Sequence, residues 1–224
     1  MFKEGLLLKY SHEEEVRLIS KRGDFVLMRQ FLGDLHLPTG RIVANDPLSN
    51  FETEPFTVSV TPGNYPIYLS VAHFPEVEGE SEKKRKPADS LVAQAIMEFS
   101  SKRPVKWEMA VPTGEQAAAE LANLEEGDYI GYVVDSGTGG FMDKAVSEKL
   151  EYIMDDFYSR TQGEFIESYV PHYGHLMANV LGGDWDDFVC FTSGLGDGCY
   201  PSYFGLDEDG RPCCLVTDFC TVDL

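Results

Sequence analysis

V-C-F-T-S-G-L-G-D-G-C-Y-P-S-Y-F-G-L-D-E-D-G-R-P-C-C-L-V-T-D-F, residues 189–219, reads as three short strands joined by two glycine-bearing turns. The first strand is apolar, β-branched and aromatic. It stops at Gly194, Gly196 and Gly198, where the backbone needs the left-handed freedom of glycine. Residues 199–206 have strand composition, and Pro201 marks an edge or a bulge because it removes a ladder donor. Asp209-Gly210 signals the second turn. In the last strand Cys213, Leu215, Thr217 and Phe219 alternate with Cys214, Val216 and Asp218. An up-down-up meander of these strands puts Asp197 and Asp218 at one end of a sheet, about 9–10 Å apart across two strand spacings. Asp218 on an apolar face must be paired, hydrogen-bonded or shifted in pKa. The expectation is that it accepts N–H bonds from the 194–198 turn, with a ligand or metal role as the other reading.

Working outward, 224 residues suffice for one sizeable core, so residues 1–224 are read as a single domain. The net charge of −20 is uneven. Residues 1–112 carry 14 basic and 16 acidic side chains, whereas residues 113–224 carry 4 and 22. Such a field repels nucleic-acid phosphates and anionic membranes and attracts a basic protein surface or a cation. The opening M-F-K-E-G-L-L-L holds an apolar run too short for a secretory leader, and no run reaches the roughly 18 apolar residues of a membrane helix. A soluble cytoplasmic protein is expected. Five cysteines, all between 190 and 220 and without C-x-x-C spacing, argue for reduced thiols rather than a disulfide framework or zinc site. Cys213 and Cys214, neighbours on a strand, are expected on opposite faces.

Upstream, Ser11 and Glu14 resemble a capping box and predict a helix over 12–21. Strands are expected at 25–31, 34–37 and 41–44, and a hairpin pairs 56–60 with 65–72 around Pro62-Gly63-Asn64. Residues 76–89, E-V-E-G-E-S-E-K-K-R-K-P-A-D, form a charged, mobile loop. Residues 91–99 fit a helix or a buried strand, with strand preferred in a β-rich setting, 105–111 and 129–134 read as strands, and 115–124 as a short helix. The principal helix is expected over about 143–158, with Asp143 as N-cap and Val146, Leu150, Ile153 and Phe157 on one face. Glu148, Glu151, Asp155 and Asp156 occupy the opposite face.

Two glycine-rich acidic loops are the candidate ligand site. One is D-S-G-T-G-G-F-M-D, 135–143, a strand-to-helix turn whose N–H groups can meet an anion, although Asp143 itself stands at the anion position. It lacks the lysine and spacing of a P-loop. The other is S-G-L-G-D-G, 193–198, which is not a hydrolase elbow because its serine precedes both glycines. The candidate ligand-binding residues are Asp135, Thr138, Asp143, Ser193, Asp197, Tyr200 and Asp218. Asp135, Asp197 and Asp218 offer oxygen ligands for Mg²⁺ or Ca²⁺ but match no established loop, so no metal site is assigned. His172 and His175 lie in a loop-like P-H-Y-G-H. No catalytic residue and no cofactor can be assigned.

Four stretches together, L-P-T-G-R-I-V-A-N-D-P-L (37–48), V-K-W-E-M-A (105–110), V-D-S-G-T-G-G-F-M-D (134–143) and S-G-L-G-D-G-C-Y-P-S-Y-F-G-L-D running to L-V-T-D-F (193–219), resemble a bacterial family catalogued as domain of unknown function 4241. Leu195 departs from the aromatic residue expected there. The resemblance implies a soluble bacterial protein and brings no activity. Its motifs fall on Arg41, Asp46, Trp107, Glu108, Asp135, Thr138, Asp143, Ser193, Asp197, Tyr200, Asp207 and Asp218.

The fold expected from the whole is β-rich α+β, two packed, mainly antiparallel sheets with one principal amphipathic helix. Two functions remain in view. One is a binding or inhibitory protein for a basic partner, in the manner of bacterial immunity proteins. The other is a small-molecule or divalent-metal-dependent hydrolase built on the two acidic loops.

Overall fold

The computed structural model describes residues 7–21, 23–76, 89–161, 178–181 and 188–221, with backbone alone for 157–161 and 178–181. Twelve strands form two sheets: β1 (Glu15–Ser20), β2 (Gly23–Leu37), β3 (Ile42–Asn45), β4 (Gly63–Phe74), β5 (Asp89–Glu98), β6 (Lys106–Met109), β7 (Gly131–Val134), β8 (Thr138–Asp143), β9 (Ala178–Leu181), β10 (Phe188–Thr192), β11 (Gly198–Leu206) and β12 (Pro212–Asp218). Among the described residues the α-helices are α1 (Glu115–Ala122), α2 (Lys144–Ser147) and α3 (Leu150–Thr161), with one 3-10 turn at Leu8–Tyr10.

The large sheet runs β1-β2-β4-β5-β12-β11, and the outer edge of β11 is shared end to end by β7 and β6. The small sheet runs β3-β8-β10-β9. Every pair is antiparallel. The two sheets share one core, in which Leu69, Met97 and Leu215 of the large sheet meet Ala44, Phe141 and Phe191 of the small one. The β-rich α+β architecture of two packed antiparallel sheets is therefore as the sequence suggested.

Local readings fared unevenly. The strands expected at 91–99, 199–206 and 211–219 appear as β5, β11 and β12, buried on both faces. The helix expected over 12–21 is strand β1 instead, laddered to β2 from Glu15↔Met28 to Ser20↔Gly23. E-V-R-L-I-S has period 2 as well as β-branched content, and a cross-strand partner outweighs the weak capping signal. Ser11 Oγ contacts His12 Nδ1 at 2.9 Å rather than capping a helix. Residues 56–60 make only isolated bridges, because β4 finds longer partners in β2 and β5. The 189–219 meander is also corrected: β10 leaves for the small sheet, where it pairs β8 and β9, while β11 and β12 stay in the large one.

The segment 138–143 is strand β8, not the middle of a turn, and the principal helix is broken into α2 and α3 around Glu148 and Lys149. Its predicted face survives, with Val146, Leu150 and Ile153 buried against Met142 and Phe188. Cys213 and Cys214 do not face opposite ways. The register skips from Gly205↔Cys214 to Leu206↔Pro212, so Cys213 is a bulge residue, and both thiols enter one core cluster. Residues 77–88, which hold most of the expected charged loop, and the 171–175 histidine pair lie outside the described residues.

Candidate functional site

The two glycine-rich loops meet. Ser193 N donates to the Gly137 carbonyl at 3.0 Å, and a Cβ on Gly137 would stand 3.7 Å from the Gly196 Cα. Each loop is also tied from within. Ser193 Oγ donates to the Gly196 carbonyl at 2.9 Å, and the Tyr200 hydroxyl donates to the same oxygen at 2.7 Å. Gly194, at φ +53°, is held so close to Phe219 and Thr221 that a Cβ would approach them to 2.7 and 2.6 Å. The 135–137 loop is clamped by Asp46, whose Oδ2 accepts Asp135 N (2.9 Å) and Ser136 N (2.8 Å) and whose Oδ1 accepts Ser136 Oγ (2.7 Å). Burial pushes the Asp46 carboxyl upward, and the hydrogen bonds from Ser136, Leu48 and Ser49 outweigh that, so it titrates below its ordinary value.

Asp143 lies at the far end of β8, five extended steps or about 17 Å from Thr138. Its carboxylate is fully buried and saturated. Thr39 N, Gly40 N, Thr39 Oγ and Ala145 N donate to it at 2.7–3.1 Å. Gly40, at φ +71°, permits that approach, since a Cβ there would overlap the Val60 carbonyl. Asp218 accepts the Cys220 N–H at 2.9 Å, not the 194–198 turn. It sits opposite Gln94 on β5, on the face of β12 away from Phe219, which is the residue that touches Gly194. Burial raises its carboxyl to about 6. Thr138 is buried opposite Thr192, and Tyr200 is buried, whereas Asp135 and Asp197 are exposed. The corner thus gathers Asp135, Ser193, Asp197 and Tyr200 and leaves Asp143 and Asp218 elsewhere. Among the described residues no group of three or more His, Cys, Asp or Glu is arranged to hold a metal.

A second polar chain joins Ser11 Oγ, His12 Nδ1, His12 Nε2 and Glu98 Oε1, the last two 3.2 Å apart. It has the order of a nucleophile relay but not its chemistry. Ser11 is 1% exposed, and Glu98 is drawn to Arg29 at 2.7 Å. Arg29 also stacks over Tyr68. Burial, with Arg103 and Arg29 nearby, pushes His12 down to about 4. The chain braces the N-terminal segment against the large sheet.

The concave surface lies elsewhere, where β6 and β7 part along the edge of β11. A cavity of about 320 Å³ opens there between α1 and residues 50–56. Its lining includes the buried side chains of Phe56, Ala110, Ile130, Tyr132 and Tyr200 together with the exposed carboxylates of Glu52, Glu54, Glu115 and Glu120. An adjoining depression of about 450 Å³ shares Glu52 and Glu54 and adds Lys144, Ser147, Glu148 and Glu151. The two form one trough. None of its six glutamates is paired with a cationic side chain among the described residues. Lys144 turns its ammonium to the Thr53 carbonyl at 3.2 Å.

Sequence reasoning missed this trough because its walls come from residues 50–56, α1, and α2 with α3. The visible traces were the acidic face of Glu148 and Glu151 and the charge of the second half.

The profile of a family described as "Protein of unknown function (DUF4241)" matches residues 35–217. The chain belongs to that family. The DUF4241 match spans both sheets from the end of β2 to Thr217, so it contains the glycine-rich corner and every wall of the trough. No curated protein and no solved structure matches the chain. No described helix is long and apolar enough to cross a membrane.

Proposed function

We propose that this protein binds a basic partner protein through the acidic trough and, by covering the partner's cationic surface, restrains it. One observation carries the reading: six glutamates from three chain segments line one concavity, and none is ion-paired among the described residues, Lys144 of the lining turning its ammonium to the Thr53 carbonyl. Like charges held together cost free energy unless an opposite charge arrives, and such a field speeds encounter with a basic surface. Location on a concave surface separates these glutamates from scattered solvated charge. The hydrolase reading has less behind it: the two acidic loops meet, but Asp143 is occupied by backbone donors at the far end of β8, and Asp218 lies on the other face of β12 from the residue that touches Gly194.

The test is calorimetric titration with a basic probe, an octapeptide of alternating arginine and glycine, across a salt series. Binding is expected at about 20 mM salt and should weaken steeply toward about 150 mM, as the Debye length contracts to about 8 Å. Absence of binding at low salt overturns the proposal.

A further inference from the structure

The trough is not uniform, and its two halves ask for different things from whatever enters. The depression is mostly carboxylate. The cavity at the split edge sets carboxylates at its exposed positions and apolar or aromatic side chains at its buried ones. A strongly hydrated ammonium loses more water than such a lining returns, whereas a planar, weakly hydrated guanidinium tolerates aromatic neighbours and pairs with carboxylates through fixed N–H forks. Among the described residues, the buried hydroxyls of the lining without a hydrogen-bond partner include Thr53 Oγ1 in the cavity and Ser147 Oγ in the depression, the latter on a residue only 3% exposed. Buried hydroxyls without partners are uncommon, and both belong to residues that line the concavity.

We infer that the cavity between β6, β7 and α1 is an anchor pocket for one arginine side chain of the basic partner, with the depression receiving a second cationic group of the same segment. This rests on the acidic trough being the binding surface. The cavity then supplies selection: the glutamates attract any basic chain, and the pocket holds the one whose arginine arrives at the split edge. Tyr200 links the pocket to the glycine-rich corner, since it lines the cavity while its hydroxyl locks the Gly196 carbonyl. The corner is thereby the support for one wall of the pocket.

The experiment compares three octapeptides by calorimetry at low salt: alternating arginine–glycine, its lysine counterpart, and its neutral citrulline counterpart. Two variants are included. Ala117→Leu fills the cavity from its buried helical wall, and Gln116→Trp covers its mouth from an exposed position and so keeps the test intact should the first variant fold poorly. In the wild type the arginine peptide is expected to bind about tenfold more tightly than the lysine peptide, with the citrulline peptide not binding. Either variant should erase the arginine preference while keeping salt-sensitive binding of both charged peptides. Equal affinity for arginine and lysine in the wild type overturns the anchor and leaves the trough. Failure of all three peptides overturns the trough reading itself.

Discussion

The glycine-rich corner and the acidic trough are both polar, and they differ in what their polar groups are doing. The buried carboxylates that hold the loops and turns are committed: Asp46 holds Asp135 and Ser136, Asp143 holds Thr39, Gly40 and Ala145, and Asp207 closes its turn on Asp209 N and Arg211 N, whereas Asp135 and Asp197 of the corner are exposed. In the trough no carboxylate has a cationic partner among the described residues. A buried, saturated acid is scaffold, because its loss strands several donors at once. An exposed, unpaired acid in a concavity contributes little to folding and remains available to a ligand. On the proposed reading, the glycine-rich loops, which dominate the sequence by eye, are frame, and the glutamates of the trough are the binding surface.

The contrast can be broken first at Asp143. Asp143→Ala leaves Thr39 N, Gly40 N and Ala145 N without their acceptor, and a loss of about 3–5 kcal/mol is expected in denaturant unfolding. By comparison, Glu52→Gln or Glu54→Gln should change stability by less than about 0.5 kcal/mol. A marginal effect of Asp143→Ala would erase the distinction between frame and surface.

Asp218 sharpens it through pH. Its folded-state pKa of about 6 lies above the ordinary carboxylate value, so between about pH 4 and 6 the folded protein binds the extra proton and stability falls as pH rises. Asp218→Asn keeps an acceptor for Cys220 N and removes the charge. The variant should therefore be more stable than wild type at pH 7, by on the order of 2–3 kcal/mol, with the gain vanishing near pH 4. A destabilised Asp218→Asn at pH 7 would show that the ionised carboxylate is wanted there.

His12 has the opposite sign. Its pKa is lowered to about 4, so the stability of the neutral imidazole is present above the unfolded value near 6.5 and is lost as pH falls toward 4. His12→Gln should flatten the acid limb of a thermal-melting series by a smaller amount than Asp218→Asn changes the neutral limb. An unchanged acid limb would contradict the burial of His12.

Much of the frame was readable in the sequence. The existence of strands β11 and β12, the turn at Gly210, the N-cap role of Asp143 and the burial of Val146, Leu150 and Ile153 all rest on local chemistry and appear in the structure, although β11 is flanked on both sides rather than being the edge strand that Pro201 suggested. What failed was non-local. Nothing in V-C-F-T states that β10 would pair β8 rather than β11, since its partners Gly139 and Gly140 lie fifty residues away. The capping signal at Ser11 could not reveal that β2 was waiting for a partner. The bulge that turns Cys213 beside Cys214 follows from register, which a single strand does not encode. The trough was hidden for the same reason. Glu52, Glu115 and Glu148 read as ordinary surface until the fold sets them around one cavity and its adjoining depression.

The claim that these glutamates form a receptive surface is tested most directly by placing neutralised charge in two ways. In one variant Glu52, Glu54, Glu148 and Glu151 become glutamine. In a charge-matched variant Glu125, Glu126 and Glu208 become glutamine and Asp24 becomes asparagine, all exposed positions outside the trough. Both change the net charge equally, so affinity for the arginine–glycine octapeptide at low salt separates site from field. The trough variant is expected to lose at least about tenfold while the charge-matched variant stays within about twofold of wild type. Equal losses in the two would mean that the peptide follows the overall charge, and the trough would have no claim as a site.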